Sequence, residues 1–250
     1  SRTAKGTPIV NVLPLETGEA VTAMLHVKSL EEENQFLLMA TRMGTVKRVT
    51  LQSINTARKS GIRALSLEEE DELICAAVTD GTADVMLLTH QGMAIRFHES
   101  DVRCMGRDAV GVRGIKLRAG DWVVGGEIVQ EDRLLFSVTE NGYGKRTDPG
   151  EFSVQNRGGQ GVKGYQCTQK TGPVAAVAMV AGQEDLMMIS DDGTIIRTPA
   201  ADISVISRAT QGVKVMTVAD GVKVIGLAVA EPEEESDGEE SAQEDAGTEA

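Results

Sequence analysis

The chain repeats itself about every fifty residues, and this period restricts its fold more than any other feature. Gly44-Thr-Val-Lys-Arg48, Gly92-Met-Ala-Ile-Arg96, Gly142-Tyr-Gly-Lys-Arg146 and Gly193-Thr-Ile-Ile-Arg197 share the pattern Gly-x-x-x-Arg, with glycines 48, 50 and 51 residues apart. Each copy follows an apolar run, at Phe36–Ala40, Val85–Leu88, Leu134–Val138 and Leu186–Ile189. An apolar run, a glycine turn and a mixed run predict a β-hairpin. A second motif runs in step: Arg2-x-x-x-Gly6, Arg107-x-x-x-Gly111, Arg157-x-x-x-Gly161 and Arg208-x-x-x-Gly212, with Arg58-Lys-Ser-Gly61 one residue shorter. After it come a strand, a polar turn and a strand, as in Val112–Leu117, Arg118–Asp121 and Trp122–Ile128, or Val213–Val218, Ala219–Gly221 and Val222–Val229. Each unit therefore holds about four short strands, and no segment shows a long helical period. Such a unit cannot bury both faces alone, so neighbours must stack around an axis. The expected fold is all-β and propeller-like, built of four-stranded blades. Units fall near 31–80, 81–130, 131–182 and 183–230, with 1–30 supplying only the second half of a unit, which makes about five blades with the first incomplete.

At 250 residues the chain is long enough for one large domain or two small ones, and 41% hydrophobic residues allow a real core. Aromatics are only 3%, with one tryptophan, Trp122. No run of eighteen apolar residues exists, so no membrane span is expected. No signal peptide is evident, and a start at Ser1 suggests a piece of a longer polypeptide. Cys75, Cys104 and Cys167 form no Cys-x-x-Cys pair and are expected as reduced core or strand residues. His26, His90 and His98 lack ligand spacing, so no metal site is expected.

Net charge is −13, which at first argues against a nucleic-acid partner. The charge is unevenly spread: residues 231–250 hold ten acids and no bases, leaving 28 acids against 25 bases elsewhere. The body is nearly neutral. The tail has the composition of a solvated, disordered segment, able to compete for basic residues on the body.

Catalysis finds little support. The chain has no Gly-x-Ser-x-Gly elbow, no His-Glu-x-x-His and no Walker loop, and Tyr143 and Tyr165, its two tyrosines, lie in or beside strand repeats. Gly159-Gln-Gly161-Val-Lys-Gly164 matches a dinucleotide-binding pattern, but the following Tyr165–Thr168 reads as strand and turn where that pattern needs a helix. The basic residues carry more information. They recur in three columns: Arg48, Arg96, Arg146 and Arg197; Arg2, Arg58, Arg107, Arg157 and Arg208, with Lys5 beside the first; and Arg63, Arg113, Lys163 and Lys214. Acids gather elsewhere, as at Glu31–Glu33 and Glu68–Glu72. Repetition about an axis sets each column at one height on every blade, forming a curved basic track. Duplex DNA carries about one charge per 1.7 Å, and such a track would neutralise phosphates and release counterions. The competing reading is that each arginine pairs with acids inside its own blade. Gln155-Asn-Arg-Gly-Gly-Gln-Gly161 is the sharpest local motif, since its glycines let a phosphate approach the backbone around Arg157.

Pro8-Ile-Val-Asn-Val-Leu-Pro-Leu15, Gly111-Val-Arg-Gly-Ile115, Asn141-Gly-Tyr-Gly-Lys-Arg146 and Gly193-Thr-Ile-Ile-Arg-Thr198 resemble the C-terminal domain of the DNA gyrase A protein, over about residues 1–230. The resemblance implies a β-pinwheel, six-bladed in the family, whose blades exchange strands and whose rim wraps double-stranded DNA. It also implies a place in a bacterial, cytoplasmic, nucleoid-associated complex of two gyrase A and two gyrase B chains. There ATP and Mg²⁺ act outside this chain, which would have no catalytic residue or cofactor of its own and would be monomeric in isolation. The family's signature box, Gln-Arg-Arg-Gly-Gly-Lys-Gly, belongs in the first blade, before the position where this chain begins. Residues Gln155, Asn156, Arg157, Gly158, Gly159, Gln160 and Gly161 are similar to it in a later repeat, with Asn156 in place of its first Arg and Gln160 in place of its Lys. The acidic tail favours gyrase over the related topoisomerase IV protein. A non-enzymatic propeller serving protein–protein contact would share the period, but it would need no aligned arginines and would expose aromatic anchors, which are scarce here.

Overall fold

The computed structural model describes residues 6–58 and 61–232. Within them the regular structure is strands and short 3-10 turns, with no α-helix. In the first blade, β1 (Phe36–Thr41) runs antiparallel to β2 (Thr45–Thr50), and β3 (Leu73–Thr79) flanks the other side of β1. The next blades repeat the plan with β4 (Asp84–Thr89), β5 (Met93–His98) and β7 (Val123–Ile128), then with β8 (Leu134–Thr139), β9 (Tyr143–Thr147) and β11 (Val174–Val180), then with β12 (Asp185–Ser190), β13 (Ile195–Pro199) and β15 (Val224–Ala230). The Gly-x-x-x-Arg glycine makes the hairpin turn. Gly142, for instance, has φ +76°, donates to the Thr139 carbonyl, and leaves no room for a side chain against the Met216 carbonyl.

The fourth strand comes from the next repeat. β6 (Val112–Arg113), β10 (Val162–Lys163) and β14 (Val213–Lys214) pair with β2, β5 and β9 respectively. From the inner edge outward, the sheets are β3-β1-β2-β6, β7-β4-β5-β10, β11-β8-β9-β14 and the three-stranded β15-β12-β13. Strands β3, β7, β11 and β15 pack against one another in succession, so one edge of every sheet converges on the axis and the exchanged strands lie at the opposite, outer edge. A register shift recurs at the same place on each inner pairing, at Ala40/Thr41, Leu88/Thr89, Val174/Ala176 and Ile189/Ser190. Such bulges increase local twist, which lets each sheet radiate from a crowded axis.

The core is divided among the seams. Leu38, Ala40, Leu87 and Phe97 fill the first, Met86, Leu135, Phe152 and Tyr165 the second, and Phe136, Leu186, Met188 and Val224 the third. The arrangement is the expected all-β, propeller-like one, with four sheets among the described residues. Two expectations are corrected. The strand read at Val112–Leu117 is only Val112–Arg113, because it pairs across to the preceding blade and leaves the sheet at buried Gly114, where a Cβ would strike Val46. Residues 6–35 form no strand: Ile9–Asn11 is a 3-10 turn, and Val12, Leu13, Val21, Met24 and Leu25 are exposed, because no sheet edge lies beside them to supply ladder partners. Arg2, Lys5 and the tail from 233 onward lie outside the described residues.

Candidate nucleic-acid interface

The three basic columns have different structural fates. Three members of the Gly-x-x-x-Arg column, Arg48, Arg96 and Arg146, lie in the seams, whereas Arg197, on the three-stranded last sheet, is exposed. Arg48 is almost wholly buried over the Phe36 ring and pairs at 3.3 Å with Glu99, a fully buried carboxylate on the 3-10 turn of the next repeat. Glu99 also accepts from the Thr79 hydroxyl at 2.6 Å and from the backbone N–H groups of Gly81 and Ala83. Arg96 donates to Asp84 and to the Pro149 carbonyl, both at 2.8 Å. Arg146 donates to the carbonyls of Ile203 at 2.7 Å and Ala201 at 2.9 Å. Arg197 donates to Asp185 and to the Glu231 carbonyl. In the first three blades this arginine reaches the turn from which the exchanged segment departs, and so staples that segment down.

The Arg-x-x-x-Gly loops at 107–111, 157–161 and 208–212 and the exchanged strands share the outer rim. Arg113, Lys163 and Lys214 are exposed on β6, β10 and β14, and Arg58, Arg63 and Arg107 are also exposed. Arg157, in the box-like loop, donates to the carbonyls of Asp101 at 2.8 Å and Arg113 at 3.1 Å. The same loop is laid along the preceding exchanged segment by Gly158 N–H to the Gly114 carbonyl at 2.6 Å and by Lys116 N–H to the Gly159 carbonyl at 2.8 Å. One blade further on the pattern returns: Arg208 donates to the Lys163 carbonyl at 2.8 Å, and Gln166 N–H donates to the Thr210 carbonyl at 3.0 Å. Arginines from one repeat are thus brought beside cations of the repeat before. Arg157 lies with Arg113 and Lys116, and Arg208 with Lys163. Each guanidinium keeps donors beyond those used on carbonyls, since it carries five N–H groups. Cations grouped blade by blade along one edge suit a polyanion whose charges recur at regular spacing.

The sequence reading missed two basic residues, Lys47 and Lys145. Both are fully buried under the rim loops. Each directly precedes a column arginine on a strand, where neighbours face opposite sides, and it is a loop of the next repeat that closes the lysine's face. The Gly159–Gly164 motif contains β10 and is followed by no helix, while Tyr165–Thr168, read as strand and turn, forms only an isolated bridge from Thr168 to Gly172 before a turn. Cys75 lies on β3, where burial and the nearby Glu127 carboxylate push its thiol up to about 12, whereas Cys104 is exposed. No helix of the described residues is long and apolar enough to cross a membrane.

The fold agrees with comparisons to known proteins. The family described as "DNA gyrase C-terminal domain, beta-propeller" matches residues 35–80, 83–130, 133–177 and 184–231. The DNA gyrase A protein of Staphylococcus epidermidis (strain ATCC 12228 / FDA PCI 1200) is 44% identical over 239 residues, covering 94% of this chain and 27% of that protein. The DNA gyrase A protein of Staphylococcus aureus (strain MRSA252) is 41% identical over 253 residues, covering 100% of this chain and 29% of that one. The chain therefore spans less than a third of the length of these relatives. Among solved structures, the C-terminal domain of DNA topoisomerase IV superposes with TM-score 0.84 at 25% identity, over 90% of this chain and 71% of that one. The DNA gyrase A C-terminal domain superposes with TM-score 0.79 at 26% identity, over 92% and 76% respectively.

Proposed function

The chain belongs to the DNA gyrase C-terminal domain family, and from that premise we propose that its outer rim binds and bends double-stranded DNA through phosphate contacts. One observation carries the reading: the exchanged strands set Arg113 beside Arg157 and Lys163 beside Arg208 along one edge. Residues 1–230 act as the wrapping domain and 231–250 as an acidic tail. Within a gyrase holoenzyme the domain guides the duplex for negative supercoiling. Strand cleavage belongs to other domains of gyrase A and ATP hydrolysis to gyrase B, in an assembly of two copies of each. The chain contributes no reacting group. Gyrase, rather than topoisomerase IV, is favoured by the curated relatives.

Wrapping needs several blades. Bending a 20–30 base-pair site smoothly costs on the order of 1–6 kcal/mol, so the rim must offset that with contacts distributed along the arc. Phosphate contacts carry no base identity, which makes binding indifferent to sequence. The test is electrophoretic retardation of a duplex over a salt series. The parent chain should show a steep negative slope of log affinity against log salt. The triple variant Arg107→Ala, Arg157→Ala and Arg208→Ala should lower that slope by about 0.9 per lost contact, alike on unrelated sequences. A flat salt dependence for the parent, or an unchanged slope in a folded triple variant, refutes the reading. Resealing a nicked circle with the chain bound should shift the topoisomer distribution, which separates wrapping from simple binding.

A further inference from the structure

Beneath the rim, Lys47 on β2 and Lys145 on β9 are fully buried, and among the described residues neither is ion-paired. Their ammonium groups instead meet backbone carbonyls. Lys47 Nζ donates to Arg107 at 2.5 Å, Ala109 at 2.6 Å and Ala64 at 2.8 Å. Lys145 Nζ donates to Arg208 at 2.5 Å, Ser207 at 3.0 Å and Thr210 at 3.3 Å. Two of the three carbonyls correspond between the cages: Arg107 and Ala109 precede Gly111 by the same steps as Arg208 and Thr210 precede Gly212, while the third is Ala64 in one and Ser207 in the other. Beside Lys145 the Tyr165 ring lies 4.7 Å from Nζ, and its hydroxyl donates to the Gln211 carbonyl of the same loop.

Burying an ammonium is costly unless its donors are satisfied. Here three carbonyls satisfy all three N–H groups, and at least two of them in each cage belong to the rim loop. The backbone at Arg107 and at Arg208 is thus pinned from below. The intervening blade dispenses with the device. Ile95 on β5 takes the lysine's place, with Gly159 of the box-like loop close above its Cδ1, and that loop is held from the side by Gly114 and Lys116.

We propose that Lys47 and Lys145 are positioning residues for DNA binding, whose ammonium groups hold the loops at 107–111 and 208–212 so that Arg107 and Arg208 meet phosphate in a preset geometry. The proposal rests on the reading of the rim as the DNA surface. A loop already held in its bound form loses less freedom on association. The lysine acts through its loop, so its effect should be confined to that loop's arginine.

The experiment is duplex retardation by the full chain over a salt series, with Lys145→Ile, Arg208→Ala and Arg157→Ala alone and in pairs. Isoleucine is chosen because the second blade folds with Ile95 at this position, and Lys145→Met takes its place if that variant does not fold. Lys145→Ile should weaken binding roughly two- to fivefold, the yield of about one exposed charge contact, and lower the salt slope by about 0.9. In that background Arg208→Ala should add little, while Arg157→Ala should keep its full effect. Unchanged affinity in folded Lys145→Ile, or full additivity with Arg208→Ala, overturns the proposal while leaving the rim reading intact. Failure of the parent chain to bind, or binding indifferent to both arginine changes, overturns the rim reading itself, and this proposal with it.

Discussion

Arg48 in the first seam and Arg157 on the rim are the same side chain on the same fifty-residue period, and they are put to opposite uses. Arg48 is locked against a buried glutamate, whereas Arg157 touches only carbonyls and keeps part of its guanidinium toward solvent. The difference lies in the position of the residue relative to the strand exchange. An arginine on the accepting strand is covered when the neighbour's segment crosses over it. An arginine on the crossing loop is carried to the outside. Interior charge therefore governs whether the blades stay together, and rim charge governs what they bind.

The comparison breaks most easily at Arg48. Arg48→Ala strands Glu99 in the core, and losing one partner of a buried pair costs about 3–5 kcal/mol. Denaturant unfolding should register this, with DNA affinity per folded molecule unchanged. Rim changes such as Arg107→Ala should stay within about 0.5 kcal/mol. Equal destabilisation of both classes would erase the distinction.

Glu127 on β7 tests the interior in a second way. Burial is the main cause that raises its carboxyl from 4.5 to about 7, against the lowering effects of the Met179 N–H and Arg133. The folded state thus holds the proton more tightly than the unfolded chain. Stability from this group is full below about pH 4.5 and is lost as pH rises to about 7. At about 1.4 kcal/mol per unit, Glu127→Gln should gain up to about 3 kcal/mol above pH 7 and almost nothing at pH 4. Thermal unfolding across that range measures it, and a gain independent of pH would show that the carboxyl is not the cause.

Smaller effects sharpen the contrast on the binding side. Arg157→Ala should lower the salt slope by about 0.9, and Arg146→Ala, whose guanidinium lies in the third seam against the Ile203 and Ala201 carbonyls, should leave it unchanged in the folded fraction. A slope change of the same size for Arg146 would move the seam column onto the DNA path. The smallest effect concerns the acidic tail. Deleting Glu231–Ala250 should tighten binding modestly at low salt, with the advantage fading as the Debye length falls below about 10 Å. Equal affinities at low salt would make the tail a bystander.

Much of the fold was legible because hairpins are local. The apolar run, the turn glycine and the strand alternation lie close together in the chain, and β1, β4, β8 and β12 fall where the apolar runs predicted them. The exchanged strands were harder to see. Val112–Arg113 satisfies its ladder on β2, in the preceding repeat, and only two residues of the apolar stretch are needed for it. Lys47 and Lys145 were overlooked because a lysine in a mixed strand usually faces water, and here the opposite face is closed by a loop from another repeat.

The amino-acid sequence by itself determined the period, the all-β units, the turn glycines and the three aligned sets of cations, because each depends on neighbours close in the chain. Only the tertiary structure decided which cations are sealed in the seams, which line the rim, and which lysines hold the rim from beneath. Those outcomes depend on strand exchange between repeats: whether a cation is buried or exposed is settled by a segment arriving from the next repeat, and no local pattern around that cation records its arrival.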